Sequence, residues 1–463
     1  MKLITRSVLV MLCILTPALA GDLRMGRAAV NITPPLGMPM GGYYSVRLNT
    51  GTHDPLYAKA IVLEEGGVEA AIVACDLESI PRSFVDAARL IIQKTTHVPP
   101  DNVMISATHT HTGPEMIHFF LDRLEGPPAQ IAKDYRTALP GKIAEAVREA
   151  EADLAPSEAW AGMGRESSLC FNRRYLMKDG TVGWNPGKLN PNIVRPAGPV
   201  DPDVSVVYFK AAPSKPQATF VNYAMHLDTT GGTQFSADYP YTLAKLLGEA
   251  KDSKMLTVFA IGTAGNINHI DVKSAEPQSS LQEAARIGTI LAGDVLKTYP
   301  RLTPVNGPLL VRREVIKLPL QELQPGEVEK SQELATRLVR EGPEKFAFLD
   351  LVRAFKVLWV AEFQGKPIDA EVQVITLGND VAWVGLPGEV FVELGMAIKA
   401  ASPFRYTIVN ELSGDVIDYV PDRKAFAEGA YEVVNSLCAP GGGEALVDAA
   451  TRQLIKAYQS STR

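Results

Sequence analysis

The sequence predicts an α/β fold, a mixed β-sheet core with helices on its faces. Apolar, β-branched runs such as Val68–Cys75 and Leu256–Ile261 have the length of buried strands. Other segments, such as residues 129–152, place apolar residues at helical spacing among Lys, Arg and Glu. Strands that alternate with helices in this way are typical of α/β domains, and no internal repeat interrupts them.

The elements follow from these patterns in chain order. Short apolar runs predict strands at residues 26–35, 58–63, 68–75, 102–105, 157–162, 204–209, 218–224, 256–261, 370–377, 381–386 and 406–410. Helical spacing predicts helices at residues 82–94, 129–152, 241–249 and 281–295 and within residues 326–362. It also predicts a helix that begins at Glu389 and a C-terminal helix that ends at residue 458. Five prolines and the pair Arg173-Arg174 predict that residues 169–203 form a long loop, which we interpret as a lid or rim.

The first 20 residues have the pattern of a cleavable signal peptide. Lys2 and Arg6 precede an apolar run at residues 8–15, and Ala18-Leu19-Ala20 fits a signal peptidase site. The apolar run is too short to remain as a membrane anchor. We therefore expect a soluble protein that is secreted or periplasmic, with a mature chain of residues 21–463.

Charge and cysteine content exclude two classes of protein. The net charge is −6 and falls to near −8 without Lys2 and Arg6, and no basic stripe is present, so nucleic acid is not an expected partner. Cleavage would leave Cys75, Cys170 and Cys438, an odd number that allows at most one disulfide. The sequence is therefore not that of a small scaffold built on disulfides. Cys75 ends an apolar run, which predicts a buried thiol.

Two of the seven histidines, His109 and His111, stand one residue apart after the predicted strand at 102–105. On an extended backbone, residues i and i+2 point the same way, so both imidazoles would face one cavity. Neutral imidazole is a common zinc ligand, and a strand end gives rigid support with an open side. An isolated His-x-His is nevertheless more often an ordinary surface or core pair.

His226 and Glu389 follow two other predicted strands and complete a possible ligand set. Two histidines and one carboxylate, with room left for water, form the usual hydrolytic zinc site. Each residue has a plainer interpretation. His226 could be a core histidine, and Glu389 could be an acid favoured in the first turn of a helix.

Several motifs occur in one order along more than 300 residues. They are Gly26-Arg27-Ala28-Ala29-Val30-Asn31-Ile32-Thr33, Gly41-Gly42-Tyr43, Asp76-Leu77, the run from Ser106 to Pro114, Asn172-Arg173, Ala224-Met225-His226, Ala264-Gly265-Asn266-Ile267-Asn268, Pro387-Gly388-Glu389, and Asp418-Tyr419-Val420 followed by Tyr431-Glu432. This series resembles the neutral/alkaline, non-lysosomal ceramidases, which are zinc amidases that cut ceramide into sphingosine and fatty acid. Residues 21–463 would then form a catalytic domain of the ceramidase type.

The resemblance implies a ligand set and a reaction. Zinc would be held by His109, His226, Glu389 and Tyr419. His111 would act as a proton shuttle or as a hydrogen-bond donor to the oxyanion, which Arg173 would help to neutralise. The implied activity is that of a zinc-dependent amidohydrolase, in which zinc-bound water attacks the amide of an N-acyl, ceramide-like substrate.

The chain departs from the family pattern in two places. Asn268 stands where ceramidases carry an active-site serine, so an acyl-serine route is not expected. His269 follows it in place of proline and could supply an acid or base, or have no catalytic role. The family also continues into an immunoglobulin-like domain that this sequence does not show. Other zinc hydrolases, acting on an ester, lactone or peptide-like bond, and a catalytically silent binding protein therefore stay open as alternatives.

Overall fold

The structure is a computed structural model that describes residues 23–117, 121–122, 124–211, 215 and 217–462. The predicted signal peptide lies outside these residues. The strands are β1 (Arg24–Asn31), β2 (Pro39–Met40), β3 (Arg47–Leu48), β4 (Gly51–Thr52), β5 (Tyr57–Glu65), β6 (Val68–Cys75), β7 (Val103–Ala107), β8 (Ala155–Arg165), β9 (Phe171–Asn172), β10 (Arg174–Met177), β11 (Val182–Trp184), β12 (Ile193–Pro196), β13 (Asp203–Ala211), β14 (Ala218–Tyr223), β15 (Gln234–Phe235), β16 (Leu256–Ile261), β17 (Ile267–Asn268), β18 (Thr303–Val305), β19 (Leu309–Leu318), β20 (Ile368–Leu377), β21 (Val381–Gly385), β22 (Glu389–Val390), β23 (Tyr406–Asn410) and β24 (Tyr419–Val420).

The helices lie between and after these strands. They are α1 (Arg82–Thr95), α2 (Pro127–Ala152), α3 (Tyr239–Lys251), α4 (Leu281–Thr298), α5 (Glu327–Glu341), α6 (Phe348–Glu362), α7 (Val392–Ala401), α8 (Arg423–Glu428), α9 (Tyr431–Asn435) and α10 (Gly442–Ser461). No helix in the described part of the chain has the length and apolar character needed to cross a membrane.

Two mixed sheets form the centre of the fold. The larger has the order β16-β14-β13-β8-β1-β5-β6-β7, with β18 beside β8, and the smaller has the order β19-β20-β21-β23. Most neighbours are antiparallel, whereas the pairs β6 with β7, β14 with β16, and β21 with β23 are parallel. The predicted mixed α/β fold is therefore confirmed, but with two sheets in place of one.

The sheets pack face to face through apolar side chains from both, including Phe220 and Trp383, whose rings lie 6.1 Å apart. Successive side chains of β6 point to opposite faces of the larger sheet and so into different layers. Ile72 faces the second sheet, whereas Val73 belongs to the cluster that packs against α1 and α2. Helices α3 and α4 cover the rest of the larger sheet, and α7 and α10 cover the smaller one.

Three local predictions were wrong. Strand β19 was missed because its half-exposed residues carry charges such as Arg312 and Lys317, which mask the alternating pattern. Residues 169–203 are not a continuous loop, since β10, β11 and β12 form a small antiparallel sheet there. Glu389 does not begin a helix but lies on the short strand β22, and α7 starts at Val392.

The three cysteines in the described residues, Cys75, Cys170 and Cys438, are buried and free. Burial raises the pKa of each thiol, which makes all three poor nucleophiles. The predicted buried thiol at Cys75 is confirmed, and the described part of the fold relies on packing without a disulfide.

Candidate metal centre

A tight turn, not strand alternation, brings His109 and His111 together. Strand β7 ends at Ala107, and His109 has a φ of 72°, in the left-handed region. The backbone N–H of His109 donates to Leu77 O at 2.9 Å, and that of His111 donates to Leu227 O at 3.0 Å. The predicted extended backbone was therefore wrong, although its consequence holds, because the two Nε2 atoms lie 3.2 Å apart.

His226 enters the same site from the loop after β14. Its ring centroid lies 4.6 Å from that of His109 and 5.7 Å from that of His111. The nitrogens of the three imidazoles lie within 4.8 Å of one another, close enough to share one metal ion. Both loops, after β7 and after β14, follow the carboxyl ends of strands, where α/β folds commonly place their sites.

Backbone carbonyls orient the two outer imidazoles. His109 Nδ1 lies 2.8 Å from Glu78 O, and His226 Nδ1 lies 2.9 Å from Ala264 O. A carbonyl only accepts, so each Nδ1 must carry the proton and each Nε2 is left as the ligand atom. Such backbone support is typical of metal-binding histidines.

Glu389 completes the convergence. Its Oε2 lies 3.1 Å from His226 Nε2 and 3.4 Å from His109 Nε2, and it is buried without a hydrogen-bond partner among the described residues. An unpartnered buried carboxylate oxygen costs free energy unless a cation satisfies it. Two imidazole nitrogens and this oxygen therefore fit a dication such as zinc.

The pKa values of the ionisable groups in this cluster are shifted far from their usual values. Although burial opposes protonation, the Glu389 carboxylate raises the pKa of His109 to about 10. Burial and the Arg173 guanidinium lower the pKa of His226 to about 3. His109 in turn holds the pKa of Glu389 well below its usual value, against the effect of burial. A bound dication would thus replace a proton that otherwise balances Glu389.

Tyr419 lies opposite Glu389, because β22 and β24 pair in parallel with Glu389 in register with Tyr419. The side chain is 4% exposed and lines the same cavity as His111 and Glu389. Burial raises the pKa of its phenol well above 10, so without a metal the group is neutral. The strand pairing places Tyr419 beside Glu389, which is consistent with its predicted role.

Arg173 is fixed in a buried network beside His226. Its Nε donates to Glu432 Oε1 at 3.0 Å, its Nη2 donates to Gly265 O at 2.7 Å, and its Nη1 lies 3.1 Å from His226 Nε2. The guanidinium also sits 5.3 Å from the centre of the Tyr419 ring. Arg174 donates to the other oxygen of Glu432 at 2.9 Å, so this carboxylate anchors both arginines.

Comparisons with known proteins find one sequence relative and matching solved structures. The chain is 31% identical over 209 residues to a neutral ceramidase of Pseudomonas aeruginosa, a match that covers 43% of this chain and 30% of that protein. The crystal structure of neutral ceramidase from Pseudomonas aeruginosa matches with a TM-score of 0.72 at 20% identity, over 95% of this chain and 75% of that one. The chain is therefore similar to neutral ceramidase in sequence over part of its length and in fold over nearly all of it.

A structure described as a ceramidase complexed with C2 gives the same TM-score of 0.72 at 19% identity, over 95% of this chain and 76% of that one. No family model matches the chain. The sequence match spans less than a third of the curated ceramidase, whereas the fold match extends over nearly all of this chain. The α/β fold is thus that of neutral ceramidase.

A cavity of about 90 Å³ opens beside the histidines and is large enough to hold several water molecules. Besides His111, Glu389 and Tyr419, its lining combines aromatic and acidic residues to which the sequence analysis assigned no role. They are Tyr44, Glu78, Glu115, Phe355, Trp359, Asp418 and Tyr431. Asp76, from the quoted motif Asp76-Leu77, does not line this cavity. Its carboxylate accepts from Tyr57 N at 2.9 Å and lies 3.5 Å from Lys59 Nζ.

Asn268 and His269 lie on and just after β17, on a neighbouring part of the site. Asn268 donates to Asn185 Oδ1 at 3.0 Å and accepts from Ile270 N at 3.1 Å. His269 is buried, and neither ring nitrogen has a hydrogen-bond partner in the described residues. Neither residue lines the cavity beside His111. Their catalytic roles stay predictions.

Proposed function

We propose that the chain is a zinc-dependent hydrolase that cleaves the amide bond of an N-acyl, ceramide-like substrate. The observation that carries the proposal is the convergence of His109 Nε2, His226 Nε2 and the unpartnered Glu389 Oε2 beside a cavity, within a ceramidase fold. Tyr419 is the proposed fourth ligand. The charge and hydropathy pattern of residues 1–20 supports export to the periplasm or medium.

Bound zinc would supply a Lewis acid that polarises the amide carbonyl and activates water. The chain's own groups divide the remaining work. Arg173 is held in place by Glu432 and Gly265, so its positive charge stays beside His226 and favours an oxyanion there. His111 lines the cavity with its Nε2 3.2 Å from His109 Nε2, and burial together with the charge of His109 holds its pKa well below the usual value. As a neutral imidazole it would take a proton from the attacking water and pass it to the leaving amine.

His111 has one further neighbour that bears on this role. Its Nδ1 is buried without a hydrogen-bond partner and lies 3.8 Å from Asp228 Oδ1, whose carboxylate accepts from the Tyr43 hydroxyl. Gly42 leaves room for the imidazole, because a Cβ at that position would come within 2.7 Å of His111 Nδ1. The glycine-rich loop thus shapes the space that this histidine occupies.

A substrate panel tests the proposal. Purified protein loaded with zinc is given N-acyl sphingosines and their matched O-acyl esters, with and without a chelator. We expect chelator-sensitive fatty-acid release from the amides. Release from esters alone would move the assignment to an esterase, and no release from either by folded, zinc-loaded protein would favour the binding-protein alternative.

A further inference from the structure

Glu411 lies directly after β23 and is completely buried, with 0% of its surface exposed. Its Oε2 accepts from Val390 N at 2.7 Å and from Ala264 N at 3.0 Å. Val390 directly follows Glu389, and the carbonyl of Ala264 lies 2.9 Å from His226 Nδ1 and orients that imidazole. One carboxyl oxygen thus joins the backbone beside two proposed metal ligands.

The backbone that follows Glu411 contacts the same part of the site. Leu412 N donates to Gly388 O at 3.1 Å, and Leu412 O accepts from Ala107 N at 3.1 Å. Gly388 directly precedes the proposed carboxylate ligand, and Ala107 ends the strand that leads to His109. Residues 411 and 412 therefore bind backbone groups of all three segments that carry or orient the imidazole and carboxylate ligands.

The second oxygen of Glu411 indicates that packing alone does not account for a glutamate at this position. Oε1 is buried and has no hydrogen-bond partner among the described residues. An unpaired buried polar atom costs free energy, which an apolar side chain would avoid. An apolar side chain would, however, leave the N–H groups of Val390 and Ala264 without an acceptor. These two hydrogen bonds are thus what the carboxyl group contributes.

We propose that Glu411 is a positioning residue that fixes Glu389 and the loop supporting His226 at the spacing that a single metal ion requires. This inference rests on the zinc site of the proposed function and extends it to a side chain that acts through the backbone of the ligand segments. Loss of a group that orients metal ligands usually weakens metal binding by about 10–100-fold.

Three variants separate the acceptor oxygen of Glu411 from its size and charge. Burial raises the pKa of Glu411 well above its usual value, and the Glu389 carboxylate acts in the same direction. Glu411→Gln therefore exchanges a neutral acid for an amide of the same shape, whose oxygen can accept from both N–H groups. Glu411→Asp draws the oxygen back by one methylene, and Glu411→Ala removes it.

Zinc affinity is measured by competition with a colorimetric chelator, after circular dichroism has shown that each variant is folded. We expect Glu411→Ala to bind zinc about 10–100-fold more weakly, and Glu411→Gln to keep the affinity of the unmodified protein. Glu411→Asp should also bind zinc more weakly, and it serves alone if Glu411→Ala does not fold. The measurement does not depend on hydrolysis of any substrate.

The visible absorption spectrum of the cobalt-substituted protein reports the geometry of the ligands. We expect the spectrum to change in Glu411→Asp and to match the unmodified protein in Glu411→Gln. A role in packing alone would lower the free energy of unfolding and leave the spectrum unchanged. Glu371→Gln is the matched control, because Glu371 is 1% exposed and pairs with Arg89 at 2.7 Å. It should lower stability without changing zinc affinity.

Unchanged zinc affinity and an unchanged cobalt spectrum in the folded Glu411→Ala and Glu411→Asp variants would overturn the inference while leaving the zinc site in place. Zinc binding that weakens equally in Glu411→Gln would contradict a role based on the acceptor oxygen. Failure of the unmodified protein to bind zinc would overturn both this inference and the proposed function.

Discussion

Glu389 and His111 both lie beside His109, but their surroundings differ. Glu389 Oε2 lies within 3.4 Å of two imidazole nitrogens and has no hydrogen-bond partner in the described chain, as expected of a ligand. His111 lines the cavity and lacks the backbone-carbonyl contact that orients His109 and His226. Geometry alone would allow His111 as a third imidazole ligand. Mutation can distinguish a ligand set that contains Glu389 from one that consists of the three histidines.

Glu389→Ala is expected to weaken zinc binding by more than about tenfold, because it removes a ligand and leaves the buried imidazoles without their carboxylate. His111→Ala is expected to keep zinc while lowering kcat by about 10²–10⁴, the usual contribution of a general acid or base. Zinc content after dialysis and steady-state kinetics measure both effects. Loss of zinc from His111→Ala with full retention in Glu389→Ala would favour the three-histidine set.

The site segments themselves lie unusually close together at Gly265. A Cβ on this residue would come within 2.4 Å of Glu389 O, while its own carbonyl accepts from Arg173 and its N–H donates to Val390 O. Glycine is thus required for close approach of the loop after β16 to β22. The loop that orients His226 through Ala264 is fixed by the same contact.

Gly265→Ala should therefore displace Glu389 and lower both zinc affinity and kcat/KM by at least about tenfold, comparable to loss of a supporting contact. Gly293→Ala on α4 is the matched control, since a Cβ there meets nothing within 4 Å. That substitution should leave zinc binding intact and raise the free energy of unfolding by roughly 0.5–1 kcal/mol. Normal zinc affinity in Gly265→Ala would contradict the assigned position of β22.

Much of this local structure could be predicted from sequence, and the failures have physical causes. Buried strands such as β6 and β16 are apolar throughout, so their identity needs no tertiary information. Strand β19 is charged on its exposed face, and the two-residue strands β22 and β24 exist only because each pairs with the other. Their pairing, which places Glu389 beside Tyr419, depends on segments 30 residues apart and leaves no local signal.

The candidate site shows the same division. The histidines and Glu389 were found because their residue types carry metal chemistry, and a family resemblance added Arg173 and Tyr419. Glu78 and Glu115 were missed even though they adjoin quoted motifs, because a single glutamate in a loop gives no sign of burial. Only the fold shows that both line one cavity with Asp418.

At the scale of the whole molecule, a buried ionic cluster links helix α1, which packs on the larger sheet, to the smaller sheet. Glu371 on β20 accepts from Arg89 of α1 at 2.7 Å and pairs with Arg313 at 2.7 Å and Arg82 at 3.3 Å. Burial alone would raise the pKa of Glu371, but Arg89 and Arg313 lower it to about 2. Removing the carboxylate would leave three guanidinium groups without their shared partner.

Glu371→Gln is expected to lower the free energy of unfolding at pH 7 by about 3–5 kcal/mol, the usual cost of breaking a buried ion pair. Because the folded pKa is depressed, this stabilisation is fully present above the unfolded value near 4.5 and is lost as the pH falls toward about 2. Denaturant unfolding across this range should show the two proteins converging in acid. Glu149→Gln, on the exposed face of α2, is the control and should change little.

Metal dependence is the central claim, and a zinc titration tests it most directly. Protein stripped of metal by a chelator is titrated with zinc while fatty-acid release from an N-acyl substrate that the zinc-loaded protein cleaves is followed. We expect no release at the start and a linear rise to a plateau at one zinc per chain, with His109→Ala showing no rise. Full activity in the chelated protein, or a plateau that His109→Ala also reaches, would contradict the account.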